Sequence, residues 1–126
     1  MVTNPQISLR NISLCFGEEP IFDDLNLLIH PRDRIALVGR NGSGKSTLLK
    51  VLQGFVIQDE GERMLSKGLS IGYLEQDPNL SKFTTLYDYV YSGVPESNLH
   101  LIEVTGKNLG IDLDVYISDS SGGEKR

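Results

Sequence analysis

Gly39-Arg40-Asn41-Gly42-Ser43-Gly44-Lys45-Ser46 is the stretch that most limits what this chain can fold into. It satisfies G-x-x-x-x-G-K-[ST] at every fixed position. Its glycines let the backbone curl so that successive N–H groups converge on an anion. A helix beginning near Lys45 aims its positive end at the same point. Lys45 adds a charge-assisted hydrogen bond, and Ser46 is placed to ligate a divalent cation. The flanks agree. Ile35 to Val38, "IALV", is an apolar run of the kind a strand buried on both faces shows. Lys45 to Gln53 reads as a helix, with Leu48, Leu49 and Leu52 on one face and Gly54 closing it. A merely structural glycine turn explains the loop but not its flanks. The unit commits the chain to an α/β fold that holds the phosphates of a nucleotide.

Around this unit the pattern is mixed. Ile7 to Phe16 alternates as a half-buried strand, but its parity slips between Leu9 and Ile12, which predicts a bulge near Arg10-Asn11. Leu25, Leu27 and Ile29 form a second alternating run, followed by a turn at Pro31-Arg32-Asp33. "QDEGE", Gln58 to Glu62, reads as a surface turn, and Leu69 to Leu74 as another strand. Thr84 or Thr85 caps a helix through "LYDYVYSG". Ser97 caps a further one that Gly110 ends. Tyr87 and Tyr91, at helical spacing, read as packing residues.

Composition excludes several classes. At 126 residues the chain has one domain's worth of length. A net charge of -5 argues against a broad nucleic-acid or anionic-membrane surface. Cys15, His30 and His100 are isolated, so they read as structural or incidental rather than as metal ligands. No stretch reaches the ~18 apolar residues of a membrane span, and "MVTNPQISLRN" is no secretory leader. The expectation is a soluble, cytoplasmic protein.

Three further features narrow the family. Phe16 stands 29 residues before Lys45, and Gln76, in "GYLEQDP", stands 31 after it. Ser121-Gly122-Gly123-Glu124 closes the sequence. Together they resemble an ATP-binding cassette (ABC) ATPase, a P-loop NTPase. "IFDDLNLLIHPRDRIALVGRNGSGKSTLLKVLQG", "DEGE" and "GYLEQDP" look most like the first cassette of the soluble ABC-F subfamily, in its Uup-type members. The resemblance is most specific over residues 7–78, and weak between Tyr91 and Ser120, where the segment looks shorter than in Uup-type proteins.

The resemblance implies an N-terminal part of an ABC nucleotide-binding domain. Residues 1–78 would form a β-subdomain with the P-loop core as far as the Q-loop, and 79–126 a helical subdomain with the signature. ATP and Mg²⁺ would be the ligands. Gly39, Asn41, Gly42, Ser43, Gly44, Lys45, Ser46 and Thr47 would cradle the phosphates, and Ser46 with Gln76 would hold the metal. As a lone aromatic Phe16 reads as core; in this family's position it stacks on adenine. Ser121, Gly122 and Gly123 would contact nucleotide held by another cassette. Ser120 stands where the signature usually has leucine. Ser121 also fits a plain N-cap, and that reading agrees with an exposed, anion-binding helix end.

Two look-alikes fail. "FVIQDE", Phe55 to Glu60, resembles a Walker B strand, but Gln58 interrupts it and it precedes the Q-loop. "DSSG", Asp119 to Gly122, fits a GTPase D-x-x-G, yet no N-K-x-D occurs in the sequence. In ABC ATPases the Walker B aspartate, its neighbouring glutamate and the switch histidine follow the signature. None lies in these 126 residues, and His100 precedes the signature. The expectation is therefore a chain truncated just after the signature. It would bind ATP, and would hydrolyse it only if a second cassette or a complementary C-terminal chain supplied the rest. The central parallel sheet would likewise lack its later strands. The resemblance also brings in the ribosome as a partner. The alternatives are a non-catalytic nucleotide- or partner-binding module and the ATP-binding part of an ABC transporter.

Overall fold

The computed structural model describes residues 4–121 and Gly123. The chain forms two compact units, Met1–Tyr73 and Leu74–Arg126. In the first, β1 (Ile7–Phe16) is the middle strand of a three-stranded antiparallel sheet, between β2 (Glu19–Ile29) and β3 (Glu60–Leu65). Helix α1 (Lys45–Gln53) packs on it. Leu9, Ile12 and Leu14 of β1 meet Leu48 and Val51 of α1 in one buried cluster, ringed by Phe22, Leu25, Leu27, Leu52 and Val56. Amphipathic helix and half-buried strand each need the other's apolar face, and this contact supplies both.

The parity slip in β1 is a bulge. Leu9 pairs with Leu27 but Ile12 pairs with Leu25, so β1 carries one residue more than its partner there. Asn11 takes up the extra length at φ 51. The bulge returns Ile12 and Leu14 to the face of Leu9, which the core requires. Polar side chains settle the backbone around it. Asn11 N–H donates to Asn26 Oδ1 at 3.0 Å, Asn11 Nδ2 donates to Asp24 Oδ1, and Asn26 Nδ2 donates to Asp24 O at 2.9 Å.

On the other edge, "DEGE" is not a surface turn. Glu60, Gly61 and Glu62 open β3, with Ser13 paired to Glu60 and Arg10 to Glu62. Gly61 faces the bulge at φ 92. The turn reading followed its polar composition. What decides the segment is that β1 offers a free ladder edge and that glycine alone tolerates the close backbone there.

Two expected strands do not form. Ile35–Val38 lies outside any strand among the described residues, and Val38 is 94% exposed. Leu69–Leu74 is likewise outside any strand. An apolar run becomes a strand only when a neighbour takes up its N–H and C=O groups. The β1 edges are already occupied by β2 and β3.

In the second unit, α2 (Leu86–Gly93) begins at Thr85, as expected. The Thr85 hydroxyl accepts from Asp88 N–H at 3.2 Å, and the Asp88 carboxylate accepts from Thr85 N–H at 3.0 Å, a closed capping box. Thr85→Ala should therefore cost about 1 kcal/mol of stability in denaturant titration. A short 3₁₀ turn, Glu96–Asn98, leads into α3 (His100–Leu109), which ends at Gly110 in the left-handed conformation. Ser97 lies within that 3₁₀ turn, and Leu99 occupies the cap of α3. Residues 113–117 return over the start of α2, where Tyr87 N–H donates to Leu113 O and Ile117 N–H to Thr84 O. Tyr87 and Tyr91 stack on one another with centroids 6.0 Å apart. Among the described residues no helix is long and apolar enough to cross a membrane, and no cluster of His, Cys, Asp and Glu could hold a metal.

Candidate nucleotide site

The glycine-rich loop is gathered around the ammonium of Lys45. Nζ donates to Gly39 O at 2.6 Å and to Arg40 O at 2.8 Å, with Ser43 Oγ at 3.5 Å. Ser43 N–H donates to Arg40 O at 3.1 Å, tightening the same turn. The loop has no room for larger residues at its ends. A Cβ on Gly39 would lie 2.7 Å from Ser43 Oγ. One on Gly44 would lie 2.9 Å from Ile21 Cγ2 and 3.1 Å from Phe22 Cε1, which is how the loop seats on β2.

Gly44, at φ 90, is the N-cap of α1 and brings no side chain to its N–H groups. The first helical bond runs from Leu48 N–H to Gly44 O at 2.8 Å. The N–H groups of the preceding turn have no intrahelical acceptor. No acidic residue sits in that turn. The positive helix end and the lysine therefore lie together, with no acidic residue in the helix's first turn. Ser46 is exposed in the first turn beside Lys45, and Asn41, Gly42 and Ser43 are exposed in the loop. The sequence placed all of these in one loop, and the structure brings them together.

The remaining candidates are distributed. Phe16 ends β1 in the same unit and is 55% exposed, so its ring is not a core side chain. Gln76 belongs to the second unit, exposed in a bend. Ser120 is buried and its hydroxyl donates to Tyr116 O at 3.1 Å. Ser121 is exposed, and Gly123 lies in a turn. Gly122 lies outside the described residues.

"FVIQDE" has a different use from the one its residues suggest. Asp59 N–H donates to Ser13 O at 2.9 Å, and its carboxylate accepts from Cys15 N–H at 2.8 Å. The aspartate is tied to the end of β1. Sequence reasoning also missed Arg63, whose Nε and Nη2 donate to Leu52 O at 3.1 and 2.7 Å. It satisfies a carbonyl at the end of α1. A basic residue in the strand following the helix was the only signal for it.

The model of the ABC transporter family matches residues 22–126. The chain belongs to the ABC (ATP-binding cassette) family. It is 38% identical to the ATP-binding protein Uup of Caulobacter vibrioides over 97% of this chain and 20% of that protein. It is 46% identical to Uup of Haemophilus influenzae over 70% of this chain and 14% of the relative. The expectation of a Uup-like, ABC-F cassette holds. The chain spans about a fifth or less of the length of these relatives. A solved structure described as the ATP-binding subunit of an ABC transporter superposes with a TM-score of 0.78 at 19% identity, over 95% of this chain and 57% of that one. That likeness establishes the α/β nucleotide-binding-domain fold of this ABC chain.

Proposed function

We propose that this cassette binds ATP with Mg²⁺ as the N-terminal part of a soluble ABC-F-like ATPase. The observation that supports this most strongly is the Gly39–Ser46 loop closed around the Lys45 ammonium, at the start of a helix without acidic residues. The loop's glycine ends leave no volume for a Cβ, as a tight glycine-dependent phosphate cradle requires. In this reading loop N–H groups between Asn41 and Thr47, other than the Ser43 N–H that bonds Arg40 O, bind phosphate oxygens. Lys45 shares its protons between the loop carbonyls and the β- and γ-phosphates, and Ser46 presents its hydroxyl to the metal. Mg²⁺, when bound, neutralises charge on the phosphates. Phe16 stacks on adenine, Gln76 serves the metal and the attacking water, and Ser121, Gly122 and Gly123 address nucleotide on a second cassette.

Hydrolysis in this reading needs an oriented water and a carboxylate base, which a second cassette or complementary chain would provide. Ribosome association follows only from the ABC-F resemblance. A role as the ATP-binding part of a transporter has the fold likeness in its favour. The likeness to a Uup protein over 97% of this chain weighs for the soluble reading.

The test is a titration of purified chain with ATP and Mg²⁺, with turnover measured alongside. Saturable binding is expected, with phosphate release no faster than that of Lys45→Ala. Turnover should appear on mixing with a chain that carries the Walker B carboxylates. Absence of saturable binding would overturn the reading, and turnover by the chain alone would overturn the need for outside groups.

A further inference from the structure

Strand β1 outruns its neighbour on one edge. β3 begins at Glu60, paired to Ser13, so residues 14–16 of β1 have β2 along one side and no strand along the other. The Cys15 N–H on that open side is nevertheless bonded, to Asp59 Oδ2 at 2.8 Å. The Asp59 backbone N–H returns a bond to Ser13 O at 2.9 Å. A carboxylate thus supplies the last rung of the ladder where the next strand has not yet begun. An N–H bond to a charged acceptor is roughly twice as strong as a neutral one. Immediately beyond this rung stand Phe16, a residue more than half exposed, and Gly17 at φ 65 turning the chain back toward Glu19.

Asp59 also has a second connection. Five residues before it, Gly54 caps the C-terminus of α1, whose N-terminus carries the phosphate loop. The short segment from Gly54 to Asp59 joins that helix to the strand end that carries Phe16. We infer that Asp59 is a positioning residue for adenine recognition. It fixes the Phe16 ring at a set distance from the phosphate loop, so that base and triphosphate are held at once. This rests on the proposed stacking role of Phe16. Asp59 does not touch nucleotide; it acts through the Cys15 N–H.

The two ends of the ligand separate the possibilities. The full chain is titrated with Mg-ATP and with Mg-tripolyphosphate, which fills the phosphate loop but offers no base. Removing a base stack costs about tenfold in affinity, so Phe16→Ala should weaken ATP by that factor and leave tripolyphosphate unchanged. Asp59→Ala should produce the same selective loss, about threefold to tenfold, and should add little when combined with Phe16→Ala. Asp59→Asn, which keeps an acceptor oxygen, should retain most of the selectivity for ATP. If Asp59→Ala does not yield folded chain, Asp59→Glu is read instead, and its longer reach should also lower ATP affinity selectively. Equal weakening of both ligands by the Asp59 variants would mean a general structural role and overturn the assignment. So would a selective loss in Phe16→Ala with none in the Asp59 variants. An unchanged Phe16→Ala would overturn the stacking role itself, and this assignment with it.

Discussion

Lys45→Ala is expected to erase the ATP-dependent rise in melting temperature of this chain. A ligand at about one hundred times its dissociation constant stabilises the folded state by about 2.7 kcal/mol. For a domain of this size, each kcal/mol moves the midpoint by about 3–5 °C, so the wild-type shift should be easily measured. The lysine is the centre of the loop, with Nζ 2.6 Å from Gly39 O and 2.8 Å from Arg40 O. Its removal takes away the cation proposed to face the phosphates and two of the bonds that keep the loop curled. Those carbonyls lie in an exposed loop, where water replaces the lost donors. The unliganded variant should therefore melt close to wild type, within about 1 kcal/mol. Equal ATP stabilisation of variant and wild type would remove Gly39–Ser46 as the binding site.

Gly61→Ala should destabilise the folded chain far more than the same methyl added at Gly68. Gly61 sits at φ 92, where an L side chain is strained by about 1–3 kcal/mol. The added Cβ would also fall within 2.5 Å of Arg10 O, and nearer still to Asn11 O. Both are backbone atoms of the bulge, so neither can rotate aside. Either β3 parts from β1 or the bulge rearranges, and the bulge is what keeps Ile12 and Leu14 on the core face. A total of about 3 kcal/mol or more is expected, a large share of the ~5–15 kcal/mol that holds a domain together. Gly68→Ala is the control. Its φ of 78 carries the same backbone strain, but nothing lies within 4 Å of its Cβ. Urea titration should show Gly68→Ala losing about 1 kcal/mol and Gly61→Ala clearly more. Matching losses would show that the backbone approach at the bulge carries no weight.

These two residues also mark what could be read from the amino-acid order. The phosphate loop was legible because its chemistry is local: glycines, lysine and serine act within one turn and one helix start. The bulge in β1 was legible too, since a parity slip of apolar residues has few other causes. The caps at Thr85 and Gly110 followed from side-chain and backbone preferences within a few residues. Gly61 was misread because its role depends on a backbone dozens of residues away. The bond from Cys15 N–H to Asp59 was invisible for the same reason. Ile35–Val38 failed in the opposite way. Its apolarity suits a buried strand, yet pairing is a property of two segments, and the second is not present beside it.

The run from Ile35 to Val38 leads directly into Gly39, so the phosphate loop is held unequally at its two ends. On one side α1 fastens it to the core through Leu48 and Val51. On the other, no cross-strand bonds oppose its motion among the described residues. If binding a triphosphate ordered this upstream backbone, the ordering would carry an entropic cost. Any strand that laddered with residues 35–38 would have met this cost beforehand. Linkage makes the effect reciprocal: the factor by which such a strand tightened ATP is the factor by which ATP would tighten the strand.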